Sequence, residues 1–304
     1  MTQAQHRGLI TASVTLATVL QAVDTTIANV ALPHIGGNLS ASLEQMDWVL
    51  TSYIVAAAIM TPLSGWLAGR YGRKRVLVTS VIGFTVSSIL CGMAQSIDQI
   101  VLFRVLQGLS GAGLVPLSQA VLLDINPPER HGRAMALWGQ GAVLGPMLAP
   151  VLGGWLTDNY SWRWVFYINV PFGILSAIGL IAYLRESPTR ETRFDFLGFS
   201  ALSLAVGALQ ILLDRGELKD WFGSPEIWVE AGVAVAAVYV FLMHTLTARE
   251  PYISLRLFKD TNFAMGNLLI FIVGVVLYAT MALLPPLLQD LLGYPVLTSG
   301  IAMA

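Results

Sequence analysis

Charge is what this sequence lacks. Of its 304 residues only 12% are Asp, Glu, Lys or Arg, about half the ~25% of an ordinary soluble domain. Water needs more polar cover than that on a chain of this length, which argues against a soluble two-domain enzyme. Cysteine is nearly absent. Cys91 stands alone, so an internal disulfide and a cysteine-rich metal site are excluded. Neither sign of charge dominates either: a net charge of −1 and a pI near 6.4 offer nucleic acid no electrostatic attraction. His6, His34, His131 and His244 are scattered without metal-ligand spacing. No phosphate-cradling G-x-x-x-x-G-K-[ST] occurs. Gly108-Leu109-Ser110-Gly111-Ala112 departs from the serine-hydrolase elbow at its last place. Neither a cofactor nor an enzymatic reaction is expected.

Hydrophobic residues fill the space that charge leaves, at 55% of the chain and a mean hydropathy of +0.68. Uncharged runs cover 48–69, 76–97, 105–123, 134–157, 164–184, 196–213, 231–248 and 261–289, and Leu9–Pro33 is broken only by Asp24. Each is near or above the ~18 residues that cross about 30 Å of hydrocarbon as a helix. The pattern predicts nine spans in an all-helical, polytopic membrane protein, with 298–304 as the approach to a tenth. The first run is too long for a signal peptide, contains an acid and lacks a following cleavage site. It is expected to stay as a helix.

Lys and Arg between spans set the direction. With the N-terminus inside, the inner segments hold Arg7, Arg70, Arg73, Lys74, Arg75, Arg130, Arg133, Arg185, Arg190, Arg193, Arg249, Arg256 and Lys259. The outer ones hold only Arg163, Arg215 and Lys219. A cytoplasmic N-terminus is expected.

Two charges fall inside the spans. An acid such as Asp24 costs at least ~2.5–3.5 kcal/mol to insert and usually faces a cavity or a partner. It serves either helix packing or the handling of a proton or substrate. Burial disfavours the charged form of such an acid and a nearby cation favours it, the competition that a reversible proton carrier requires. Arg104 cannot itself carry a proton; it tunes a carboxylate or orients packing. Counted from the inside, Asp24 lies about 22 Å along its helix and Arg104 about 21 Å along its own. The two share a depth, which leaves their lateral distance open. Asp124 and Glu230 lie near span ends, where solvation suffices. Gly65-x-x-x-Gly69 and Gly141-x-x-x-Gly145 suit close helix contact. Gly and Pro clustered over 139–154 suit a kinked helix with two conformations. Trp162, Trp164, Phe166 and Tyr167 gather where an aromatic belt is expected, with docking of a helix end as the alternative.

Five motifs in order resemble the major facilitator superfamily, and within it the fourteen-helix drug/proton antiporter branch. Asp24-Thr25-Thr26-Ile27-Ala28-Asn29-Val30-Ala31-Leu32-Pro33 is similar to that branch's D-x-T-v-v-n-v-A-L-P. Gly65-Trp66-Leu67-Ala68-Gly69-Arg70-Tyr71-Gly72-Arg73-Lys74 resembles the superfamily loop G-x-L-a-D-r-x-G-r-k, with Gly69 where the acid is expected. Arg104-Val105-Leu106-Gln107-Gly108-Leu109-Ser110-Gly111 resembles R-x-x-q-G-x-g. Gly145, Pro150, Gly153 and Gly154 follow the antiporter motif G-x-x-x-G-P-x-x-G-G, with Ala149 replacing one glycine. Trp162–Gly173 resembles a signature at the start of the sixth helix.

The resemblance implies a six-helix bundle over 1–194, two inserted helices over 195–260 and the first helix of a second bundle over 261–304. It implies proton-coupled export of lipophilic or cationic organic molecules across the inner membrane, with Asp24 and Arg104 at the coupling site. Asn29, Pro33, Gly65, Gly72, Arg73, Gln107, Gly108, Gly145, Pro150, Gly153 and Gly154 would be its motif and gate residues. Protons, an organic substrate and the bilayer are the implied partners; whether a periplasmic adaptor extends the path is left open. At about one span per 33 residues, fourteen helices need on the order of 450–500 residues. The reading is therefore an incomplete transporter, with a non-transporting membrane protein or sensor derived from one as the alternative.

Overall fold

A computed structural model describes residues 6–189, 193–248 and 251–294. Arg190, Arg249 and the tail 298–304 lie outside the described residues. Among the described residues eleven α-helices follow one another: α1 (Arg7–Leu39), α2 (Leu43–Tyr71), α3 (Arg73–Met93), α4 (Ile97–Gly111), α5 (Leu114–Ile125), α6 (His131–Asn159), α7 (Trp164–Tyr167), α8 (Asn169–Tyr183), α9 (Phe196–Arg215), α10 (Pro225–Thr247) and α11 (Thr261–Pro286). No strand occurs among the described residues. Eight described segments are long and apolar enough to cross a membrane. The stretch expected as the ninth span is helical from Thr261, with Thr261–Val276 a shorter apolar helix.

Two expected spans are each divided in the structure, for one reason. The span Ile97–Ile125 is cut at Ala112–Gly113 between α4 and α5, four residues before Pro116. A proline ring excludes the carbonyl four residues back from the helix ladder. Here that carbonyl belongs to Ala112, and the Thr61 hydroxyl donates to it at 3.4 Å. Pro171 likewise stands four residues after Tyr167, where α7 ends. Pro33, Pro62, Pro146 and Pro150 lie inside helices that continue past them.

α1 runs through the middle of the bundle, against α6, α8 and α5. Its contact with α6 is built on matching four-residue spacings. A Cβ at Gly141 would meet Thr15, at Gly145 Val19 and Val23, and at Gly153 Ile27. Ala149, between them, is fully buried. Rows spaced by four on both helices interlock ridge into groove. Gly65 and Gly69 behave otherwise: a Cβ at either meets nothing within 4 Å, so the close contact expected of that pair is absent among the described residues. Gly154 is equally open.

α9 and α10 form a hairpin that packs on α2 through α9. The outer faces of the helices are apolar, with Leu102, Leu106, Ile174 and Ile178 all exposed. Hydrocarbon satisfies such a surface and water does not. Trp162 and Phe166 depart from the expected belt: both are buried, packed edge-on at 6.3 Å, while Trp164 is exposed. Arg163 between them donates to the carbonyls of Gly92 and Ala94 and so caps the end of α3. The docking alternative describes this segment better.

Candidate functional site

Asp24 sits on the buried face of α1, at 0% exposure. Its Oδ2 accepts from Arg104 Nη1 at 2.5 Å. Its Oδ1 accepts from Gln107 Nε2 at 2.8 Å and from Asn169 Nδ2 at 2.8 Å. Arg104 and Gln107 stand one turn apart on α4, which is why both reach the same carboxylate. Arg104 Nη1 also donates to Gln107 Oε1 at 2.7 Å, and Nε donates to the Val49 carbonyl at 3.1 Å. Its guanidinium lies over the Tyr53 ring, 4.2 Å from the centroid. Ser88 on α3 closes the network by accepting from Gln107 at 2.7 Å and from Asn169 at 3.3 Å. An ion pair stripped of water persists only when its remaining donors and acceptors are largely satisfied, and these neighbours engage both Asp24 oxygens and the Nε and Nη1 groups of Arg104.

Gly108 sets the distance between α4 and α2. A Cβ there would lie 2.4 Å from the Tyr53 carbonyl oxygen, so only glycine lets the helices approach closely enough for Arg104 to reach Val49.

Of the other motif residues, Asn29 and Pro33 face outward from α1, away from Asp24. Gly145 and Gly153 are the α1 contacts described above, and Pro150 is half-buried within α6. Gly65, Gly72 and Arg73 gather at the far end of α2. Gly72 has φ +95°, a conformation that side chains resist, and lies against Glu186. The Glu186 carboxylate accepts from the amides of Lys74 and Arg75, and Ser187 Oγ accepts from the amide of Arg73. Residues following α8 thus cap the first turn of α3. Arg73 pairs with Asp124, where solvation alone was expected for that acid. A cavity of about 770 Å³ opens here, lined by Gly65, Gly69, Arg73, Pro116, Asp124 and Glu186 among others. Glu230 too has a partner, Arg215 at 3.4 Å.

Counting charges passes over Asn169, Ser88 and Tyr53. They are neutral residues within uncharged runs, and no formal charge marks them. The available signal is polarity inside a span, and for Asn169 its place within the Trp162–Gly173 signature.

A sequence profile of the Major Facilitator Superfamily matches residues 14–304. The chain is 42% identical over 298 residues to the Multidrug export protein EmrB of Escherichia coli (strain K12), covering 97% of this chain and 58% of that protein. It is 41% identical to the Fatty acid resistance protein FarB of Neisseria gonorrhoeae, covering 97% of this chain and 59% of that one. The chain thus spans less than two thirds of the length of these relatives. Among solved structures, the MFS proton:xylose symporter XylE aligns with a TM-score of 0.62 over 99% of this chain and 66% of that one, at 14% identity. A bacterial homolog to the human lysosomal transporter Spinster aligns at 0.52 over 82% and 64%, at 24% identity. These two likenesses concern the fold. Profile and bundle agree: the chain belongs to the major facilitator superfamily.

Proposed function

We propose that the protein exports small organic molecules across the inner membrane in exchange for protons. The observation that carries this reading is the Asp24 carboxylate, wholly buried in a transporter bundle and paired with Arg104 at 2.5 Å. Such a carboxylate has two stable states. Charged, it holds Arg104, Gln107 and Asn169 around it; protonated, it lets the guanidinium go. Substrate binding or bundle movement that separates the pair favours the protonated state, and re-pairing expels the proton. The first bundle, 1–194, would rock against a second one around a midplane cavity. Residues 195–260 supply an inserted pair, and 261–304 begin the second bundle. Prolines in α6 would let that helix bend between states. The Arg73–Asp124 pair and the Gly65–Lys74 loop would close the inner gate without the carboxylate that Gly69 replaces. The names of the relatives, multidrug export and fatty acid resistance, support a lipophilic substrate; a cationic one rests on the family resemblance alone. A periplasmic adaptor is the further partner this reading allows.

Asp24→Asn tests the coupling. Expressed from its natural gene in cells lacking related pumps, the variant should insert normally and lose energy-dependent dye export. Unchanged export with unchanged pH dependence would sink the proton role. The orientation, with the N-terminus inside, has its own test. Single cysteines at Thr189 and Ser224, in a Cys91→Ser background, should label from opposite sides. Labelling of Thr189→Cys by an impermeant reagent in intact cells would reverse the topology.

A further inference from the structure

The three donors around Asp24 differ in what they can do once the acid takes up a proton. Arg104 has no acceptor atom, so it cannot receive a hydrogen bond from the protonated acid. Gln107 has both a donor and an acceptor, but its amide is committed at each end. Its Oε1 takes Arg104 at 2.7 Å and the Cys91 thiol at 3.7 Å, and its Nε2 gives to Asp24 and Ser88. Turning that amide over would break four contacts. Asn169 makes both of its contacts through Nδ2, to Asp24 and Ser88. Turned over, its Oδ1 would stand where Nδ2 now stands and accept from a protonated Asp24. Asn169 is also the first residue of α8, beside the interruption at Ile168, so it links the acid to the end of a separate helix.

We propose that Asn169 is a positioning residue for the proton on Asp24, donating to the carboxylate and accepting from the acid by reversing its amide. This rests on the proton-carrier reading of Asp24. The other groups facing that acid are Arg104 and Gln107 from α4, Cys91 and Ser88 from α3, and Tyr53 from α2. A hydrogen bond to a charged group is stronger than one to a neutral group, so Asn169 favours the carboxylate overall. Its loss moves proton uptake to higher pH.

The test is proton uptake by the purified natural-length protein in detergent, followed with the infrared carboxyl band that Asp24→Asn removes. Asn169→Leu keeps the branched shape of the amide with somewhat more bulk, and it neither donates nor accepts. It should raise the pH of half-maximal uptake by about one unit, a tenfold change in proton affinity. Asn169→Ser, whose hydroxyl both donates and accepts, should recover part of that shift. It also serves as the second variant should Asn169→Leu fail to fold. A folded Asn169→Leu with an unmoved midpoint overturns the proposal, as does Asn169→Ser behaving like Asn169→Leu. Absence of any uptake sensitive to Asp24→Asn in the unsubstituted protein would instead defeat the proton-carrier reading itself.

Discussion

Asp24 and Asp195 are both carboxylates gripped by three donors, and the donors are of different kinds. Asp24 takes three side chains, Arg104 and Gln107 from α4 and Asn169 from α8. Asp195, just ahead of α9, takes the amide of Gly198 at 2.9 Å, the amide of Tyr252 at 3.0 Å and the His244 ring at 2.7 Å. Backbone amides cannot swing away without unwinding chain; side chains leave by changing rotamer. Asp195 therefore acts as a knot. It caps α9 and ties together the segments leading into and out of the α9–α10 hairpin. Phe194, beside it, packs on Trp66 of α2 at 4.6 Å, so the knot also fixes the hairpin to the bundle. Burial pushes the Asp195 carboxyl up, but the two amides and His244 outweigh it and hold it below the ordinary carboxylate value. Burial alone raises the Tyr252 phenol above its usual value. The difference lies in the exchangeability of the donors: Asp24 is held by side chains alone, which can leave it, and Asp195 mainly by backbone, which cannot.

The largest effect expected from breaking this contrast is at Arg104. Arg104→Ala strands a buried charge on Asp24 and should lower stability by about 3–5 kcal/mol, read as thermal unfolding in detergent. Combining it with Asp24→Asn should restore much of the loss. A single variant as stable as the parent would mean that the pair carries no net constraint. Gly108→Ala should come next, at about 1–3 kcal/mol, because its methyl group would press on the Tyr53 carbonyl and push α4 from α2. The accompanying loss of the Arg104–Val49 contact should impair the proposed export more than folding.

Asp195→Ala should have the smallest effect, about 1 kcal/mol for a lost cap, seen as faster hydrogen exchange at Gly198. The proposed export should survive it. Its pH dependence separates the two acids. A carboxyl held below its unfolded value stabilises fully above that value, and the contribution is lost as pH falls through the lowered one. Going from about pH 8 to about pH 5 should therefore leave Gly198 protected. Exchange at Gly198 that quickens over this range would show the knot to be pH-sensitive.

Much of the architecture was legible in the sequence because a bilayer leaves few choices. Apolar length sets the spans, and Asp24 and Arg104 stand out because charge in hydrocarbon is costly. The divisions at Ala112–Gly113 and Ile168 were less visible. Uninterrupted apolar runs do not display a missing ladder bond, although Pro116 and Pro171 are its cause. Trp162 and Phe166 misled for a related reason: an aromatic residue near a span end suits a belt or a core equally well, and only packing separates them.

Sequence alone determined that the chain is a helical membrane protein with one acid and one base at matching depth in its spans. Composition and periodicity act locally, and depth follows from counting residues along an axis. The tertiary structure decided what counting cannot reach, the rotation and lateral placement of each helix. Those brought Asn169 and Ser88 to Asp24, turned Asn29 and Pro33 away from it, set Gly141, Gly145 and Gly153 against α1, and left Gly65 beside a cavity. Which neighbour a helix face meets depends on every other helix in the bundle.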